Sequence, residues 1–137
     1  VGRVILDTGV LASADRGRLE LAKLLRDRDD DITIAAVTAA ELLQGVELAG
    51  DELTTRRRQA FVDAVLAVVP VDDYTLDVAR VYARLLAYTR RSGRPRGAHD
   101  LIIAATAIAT NRTVATTDAK AKFDELPGVA AEMIVAG

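Results

Sequence analysis

The sequence predicts an α/β fold: a mainly parallel five-stranded sheet with helices on both faces, in three layers. Three observations carry this. Short apolar runs of β type alternate with longer stretches of helical period, which implies right-handed βαβ crossovers. Hydrophobic residues make up 50% of the 137, and a chain of this length buries roughly 65–70% of its unfolded surface, enough for one self-sufficient core. Cysteine is absent, so neither a disulfide framework nor a thiolate metal site builds the fold.

In chain order, "RVIL" (Arg3 to Leu6) is the first strand and leads through Asp7 into helix one. "ITIAAV" (Ile32 to Val37) is the second strand, with a helix opening in "TAAELLQG". "VVPV" (Val68 to Val71) is a third strand, which Pro70 places at an edge or ends, because proline cannot donate to a ladder. "TLDVARVYARLLAYTRR" is helical, with Leu76, Ala79, Tyr82, Ala83 and Leu86 forming one apolar stripe. "HDLIIAATAIATN" is a second strong helix, stopped by Asn111. "TVATT" (Thr113 to Thr117) and "EMIVA" (Glu132 to Ala136) complete the sheet. "SGRPRG" (Ser92 to Gly97) is the clearest loop and "RDRDDD" (Arg26 to Asp31) a charged turn. With no repeats and no low-complexity linker, residues 1–137 are expected to form a single domain.

The charge pattern excludes some partners. Net charge is −2, so no global basic field draws nucleic acid. Positive charge is nonetheless uneven: Arg84, Arg90, Arg91, Arg94 and Arg96 precede His99 with no carboxylate among them. Lysine occurs at Lys23, Lys120 and Lys122 alone, and guanidinium suits phosphate because its planar fork donates two parallel hydrogen bonds. No apolar run approaches the ~18 residues of a membrane span. Asp7 interrupts the N-terminal apolar run, so no signal peptide is expected and the expected location is cytoplasmic, without membrane association.

The carboxylates carry the chemistry. Asp7 ends strand one, Asp118 follows strand four, and Glu41 and Asp100 fall at helix starts. Each alone reads as a helix cap, since Asp accepts from an unpaired backbone N–H. Together they fall on one rim, outside the carboxyl ends of parallel strands, where such folds place their sites. Four like charges that close need a cation or proton between them. With no cysteine and one histidine, oxygen-only ligation favours Mg²⁺, with Mn²⁺ as a substitute, over zinc. His99 beside Asp100 reads as packing or capping, with proton shuttle or phosphate contact as the alternative.

"VILDTGVL", "TAAELLQGV", "AHDLIIAATAIATNRTVATTD" and "FDELPGV" occur in that order over nearly the whole chain. Together they resemble a PIN domain of the VapC type, the toxin half of a toxin–antitoxin pair. The resemblance implies a PIN-like three-layer fold, Mg²⁺-dependent ribonuclease activity, homodimerisation and neutralisation by a cognate VapB-like antitoxin. It carries the catalytic and metal-binding acids onto Asp7, Glu41, Asp100 and Asp118, with Asp124 as an alternative to Asp118. It also carries supporting hydroxyls onto Thr8 and Thr116. One departure is Gly9, where serine is expected after "DT".

Other readings are a housekeeping RNA-processing nuclease of the same fold and a catalytically silent scaffold; the complete acid set disfavours the scaffold. A haloacid-dehalogenase-type phosphatase needs a second aspartate two residues after the first, and Gly9 stands there. A receiver domain needs paired acids near strand one and a later lysine. Aromatic content is low, so no base-stacking platform is expected. The arginines Arg90, Arg91, Arg94 and Arg96 are expected to bind RNA phosphates from a loop that leaves their side chains free. Arg56, Arg57 and Arg58 are expected to form a solvated helical face.

Overall fold

Alternation along β1 (Arg3–Leu6) sends Ile5 to one face of the sheet and Val4 and Leu6 to the other, as the two-residue period of a strand requires. A computed structural model describes residues 2–135. The strands β1, β2 (Asp31–Ala35), β3 (Val71–Asp72), β4 (Thr113–Thr116) and β5 (Ala131–Met133) form one sheet in the order β3-β2-β1-β4-β5. Every pairing is parallel. The helices are α1 (Thr8–Asp15), α2 (Leu21–Asp27), α3 (Ala36–Glu47), α4 (Glu52–Val68), α5 (Leu76–Ser92) and α6 (Ala98–Ala109). Two short 3₁₀ turns, Ala119–Ala121 and Phe123–Glu125, follow β4.

One face of the sheet packs Ile5 and Val114 against Val78, Val81 and Leu85 of α5 and Leu101 and Ile103 of α6, with Phe123 and Leu126 closing the layer. The other packs Val4, Leu6 and Ile34 against Val10 and Leu11 of α1 and Val65 of α4. The expected three layers and parallel five-stranded sheet are therefore present.

Several boundaries differ from those expected. Ala36 and Val37 belong to α3, so Glu41 stands in the second turn of that helix and not the first. Val68 ends α4, because the apolar run extends the helical spacing of Val62 and Val65 to Val69, which is buried; the strand begins after Pro70. Thr117 lies beyond β4. β5 begins at Ala131 and ends at Met133, and Ala136, the last residue of the expected strand, lies outside the described residues. The buried stripe of α5 is Val78, Val81, Leu85 and Thr89, one residue off the expected one, and Leu76 is 65% exposed.

The expected helix stop at Asn111 holds for local reasons, and α5 runs through Ser92, the first residue of the expected loop, to a second such stop. Asn111 adopts φ 55°, and the Arg112 and Asn111 N–H groups donate back to Ala107 and Ile108 carbonyls, closing α6 in a Schellman motif. Gly93, φ 66°, closes α5 in the same way, with Arg94 N–H donating to the Thr89 carbonyl.

Candidate active site

The strand order reverses between β1 and β4, which run parallel to each other. Such a switch point opens a crevice at the carboxyl ends of the strands. Asp7 leaves β1 there, its N–H donating to the Ala115 carbonyl of β4 at 2.9 Å. Because Leu6 stands opposite Ala115, Asp7 faces Thr116, whose hydroxyl donates to Asp7 Oδ2 at 2.9 Å. The same Thr116 oxygen accepts the Asp118 N–H at 3.0 Å. One hydroxyl thus links two of the acids.

Asp7 occupies the N-cap position of α1, yet its side chain makes no capping hydrogen bond. Asp100, in the first turn of α6, makes none either, the cap there being Gly97. Asp118 does cap: its Oδ1 accepts from Lys120 N–H at 2.9 Å. Glu41 is held from α1, where the Thr8 hydroxyl donates to its Oε1 at 2.9 Å. Thr8 has one proton to give and gives it to Glu41, so the Thr38 hydroxyl, 3.0 Å away, is the donor to Thr8. Thr38 is completely buried.

The electrostatics join these carboxylates into one group. Asp7 is 5% exposed, and burial foremost, with the charges of Asp100 and Glu41 adding, lifts its carboxyl from 3.8 to about 6 against the opposing Thr116 bond. Asp100 is also raised, by burial first and then by Glu41 and Asp118, with Arg96 and His99 pulling the other way. The charge of Asp118, like that of Glu41, reaches Asp100; Asp118 and Asp124 border one hollow of about 240 Å³. Among the described residues no three acidic or histidine side chains are drawn tightly enough to cage an ion. The four acids are an electrostatic cluster with hard oxygen donors, which is the donor chemistry of a divalent cation such as Mg²⁺ or Mn²⁺.

The basic residues depart from expectation. Arg96 is not free: its Nη1 donates to the Ala121 and Lys122 carbonyls at 2.5 and 3.1 Å, and its Nη2 to Glu125 Oε2 at 3.3 Å. Arg90 and Arg91 lie in the last turn of α5, and Arg94 alone of the four is an exposed loop residue. Arg58 is not on a solvated face, because its Nη1 donates to the Gly45 carbonyl at 2.8 Å, tying α4 to α3. Arg56 does stay outside, paired with Glu52 one turn away. His99 neither packs nor caps: its side chain is 56% exposed, with Nδ1 3.4 Å from Glu41 Oε2.

A family profile described as PIN domain matches residues 4–129. The chain belongs to the PIN domain family. Among its relatives is "Ribonuclease VapC5" of Mycobacterium tuberculosis, 35% identical over 133 residues, covering 96% of this chain and 93% of that protein. The crystal structure of VapBC-5 from Mycobacterium tuberculosis superposes with a TM-score of 0.76 and 31% identity, over 98% of both chains. VapBC2 from Rickettsia felis, solved bound to a DNA fragment from its promoter, superposes with a TM-score of 0.85 and 25% identity, over 97% of this chain and 99% of that one.

In this PIN domain the fold brings the six residues expected from the sequence, Asp7, Glu41, Asp100, Asp118, Thr8 and Thr116, to one rim. Thr38, which joins them there, was not among those expected. The available signal was spacing: Thr38 precedes Glu41 by three residues on a helix, which puts both on one face. Gly9 leaves room for the expected serine, since an added Cβ would meet Thr117 Oγ1 at 3.4 Å and Asp7 Oδ2 at 3.6 Å, ordinary contacts. Gly9→Ser is therefore expected to keep activity within about twofold and to gain up to about 0.5 kcal/mol from helix propensity, read as a small rise in thermal midpoint.

Proposed function

We propose that this chain is a divalent-metal-dependent endoribonuclease and the toxin half of a type II toxin–antitoxin module. The observation that carries the reading is the cluster at the β1/β4 switch point, where burial foremost and the charges of neighbouring acids raise the carboxyls of Asp7 and Asp100. Such a cluster is stable when a cation compensates it. Asp7, Glu41, Asp100 and Asp118 would hold the metal, Mg²⁺ with Mn²⁺ as substitute. When bound, it supplies positive charge to the oxygens of the scissile phosphate and acidifies water there.

The chain's own residues set the geometry. Thr116 holds Asp7 through Oδ2, and Thr8, itself held by Thr38, holds Glu41 through Oε1. Locking one oxygen of a ligating carboxylate orients the other, a role that outer partners of metal ligands commonly fill. His99, with Nδ1 3.4 Å from Glu41 Oε2, would add a hydrogen-bonding group at the rim. The VapBC structures support a VapB-like antitoxin as partner and the ribonuclease relatives support RNA as substrate; a homodimer in the cytoplasm is the assembly and setting that accompany this proposal. Among the described residues no helix is long and apolar enough to cross a membrane.

Cleavage of single-stranded RNA should require Mg²⁺ or Mn²⁺ and stop with EDTA. Expression of the chain alone should arrest growth, and co-expression of the cognate antitoxin should restore it. Undiminished cleavage after thorough chelation would sink the metal role. Normal growth at high levels of folded, RNA-cutting protein would sink the toxin role.

A further inference from the structure

Two of the hollows that border the acidic rim differ in charge. The one beside Thr116 and Asp118 adds Asp124 and Glu132 against Lys122. The other, of about 320 Å³, opens beside Thr8 and Glu41 and is walled by Asp15, Arg16, Gln44 and Arg58. A polyanion leaving the metal site by the first route meets Asp124 and a Glu132 already paired with Arg28, against one ammonium; by the second it meets two guanidinium groups and an amide against one carboxylate, Asp15. The hollow walled by Arg94 and Arg96 contains none of the four acids, and Arg96 is already committed to protein acceptors.

We propose that the Arg16–Arg58 groove is the RNA-backbone subsite of this nuclease, holding the phosphates next to the one at the acids. The proposal deepens the ribonuclease reading and rests on it. Arg58 is prepared for the task. Its Nη1 is fixed on the Gly45 carbonyl, which presents the rest of the fork at the groove with little rotamer freedom left to lose on binding. Arg16 follows the last residue of α1 and is exposed, with no ion pair among the described residues. Thr8 and Glu41 line the groove and also belong to the acid cluster, so a strand seated on the arginines passes directly to the reacting position. Asp15 on the same wall is exposed to solvent, where its charge is screened.

The test measures binding of a short, mixed-sequence, fluorescently labelled single-stranded RNA in EDTA, so that nothing is cut, across a salt series. Each phosphate contact contributes roughly 0.7 to the slope of log affinity against log salt for single strands. Arg16→Gln with Arg58→Gln should lower that slope by about 1.4, and Arg16→Gln alone by about 0.7. The single variant leaves the Arg58–Gly45 bond intact, so it reads the proposal even if the double variant folds poorly. Under Mg²⁺, KM should rise about tenfold with kcat within about twofold, the mark of lost uniform binding. The reference is Arg56→Gln with Arg57→Gln, exposed on α4 and outside the groove, which should leave the slope unchanged. An unchanged slope in the Arg16 variant, a slope lowered only in the reference, or wild type that binds no RNA overturns the proposal. So does a variant that binds RNA normally but loses the antitoxin, which would give the groove to the protein partner. RNA binding that depends on Arg16 in a wild type that never cuts keeps the groove and removes the ribonuclease reading instead.

Discussion

Asp7→Asn is expected to reduce RNA cleavage by at least about 100-fold while making the metal-free protein more stable at neutral pH. Losing an outer partner of a metal ligand typically costs 10–100-fold, and losing the anionic ligand itself costs more. The stability gain follows from the same burial. The Asp7 carboxyl sits at about 6 in the folded chain against an ordinary 3.8, so between those values the folded state binds more protons than the unfolded one. Stability in EDTA therefore falls as pH rises from about 4 to about 6, by up to about 3 kcal/mol, and stays lowered above that. Asn carries no charge and keeps an oxygen to accept from Thr116. At pH 7.5 the variant should melt several degrees above wild type, at about 1–3 kcal/mol of added stability. Below pH 4 both side chains are neutral and the difference should vanish. Calorimetry in EDTA across this range reads the effect. An Asn variant that unfolds at pH 7.5 would return Asp7 to a structural role.

Arg96→Ala is expected to destabilise the protein by about 2–3 kcal/mol, because hydrogen bonds from a charged donor are worth more than neutral ones and two carbonyls lose their partner. Arg96 joins the approach to α6 with the segment after Asp118, where Lys122 holds a left-handed φ of 50°. Its charge also opposes the rise of the Asp100 carboxyl. Activity should fall with stability, and divalent-metal affinity should weaken as Asp100 and Asp118 lose their common tie. Arg96→Lys should recover little, because one ammonium cannot span the Ala121 and Lys122 carbonyls and Glu125 as the guanidinium fork does. A urea melt and a metal titration check both parts. If Arg96→Ala melts like wild type yet fails to bind RNA, the residue is a phosphate contact and not a clasp.

What could be read locally was read well. The apolar strand runs, the position of Asp7 at a strand end and the closures at Gly93 and Asn111 follow from short-range propensity and backbone sterics. These depend on a few neighbours in sequence. The boundary errors arose where an apolar run fits two periods: Val68 and Val69 continue a helix as readily as they begin a strand, and Ala36 and Val37 end a strand as readily as they begin a helix.

By itself, then, the sequence determined the βα alternation, the absence of thiolate chemistry and the four acids at strand ends and in helix turns. Only the tertiary structure decided that Thr116 holds Asp7 across 109 residues of chain, that Thr38 supports Thr8, and that Arg96 and Arg58 turn inward onto carbonyls. A hydrogen-bond partner is chosen by which backbone another element brings within about 3 Å. That depends on strand order, register and helix packing, which no local window of residues contains.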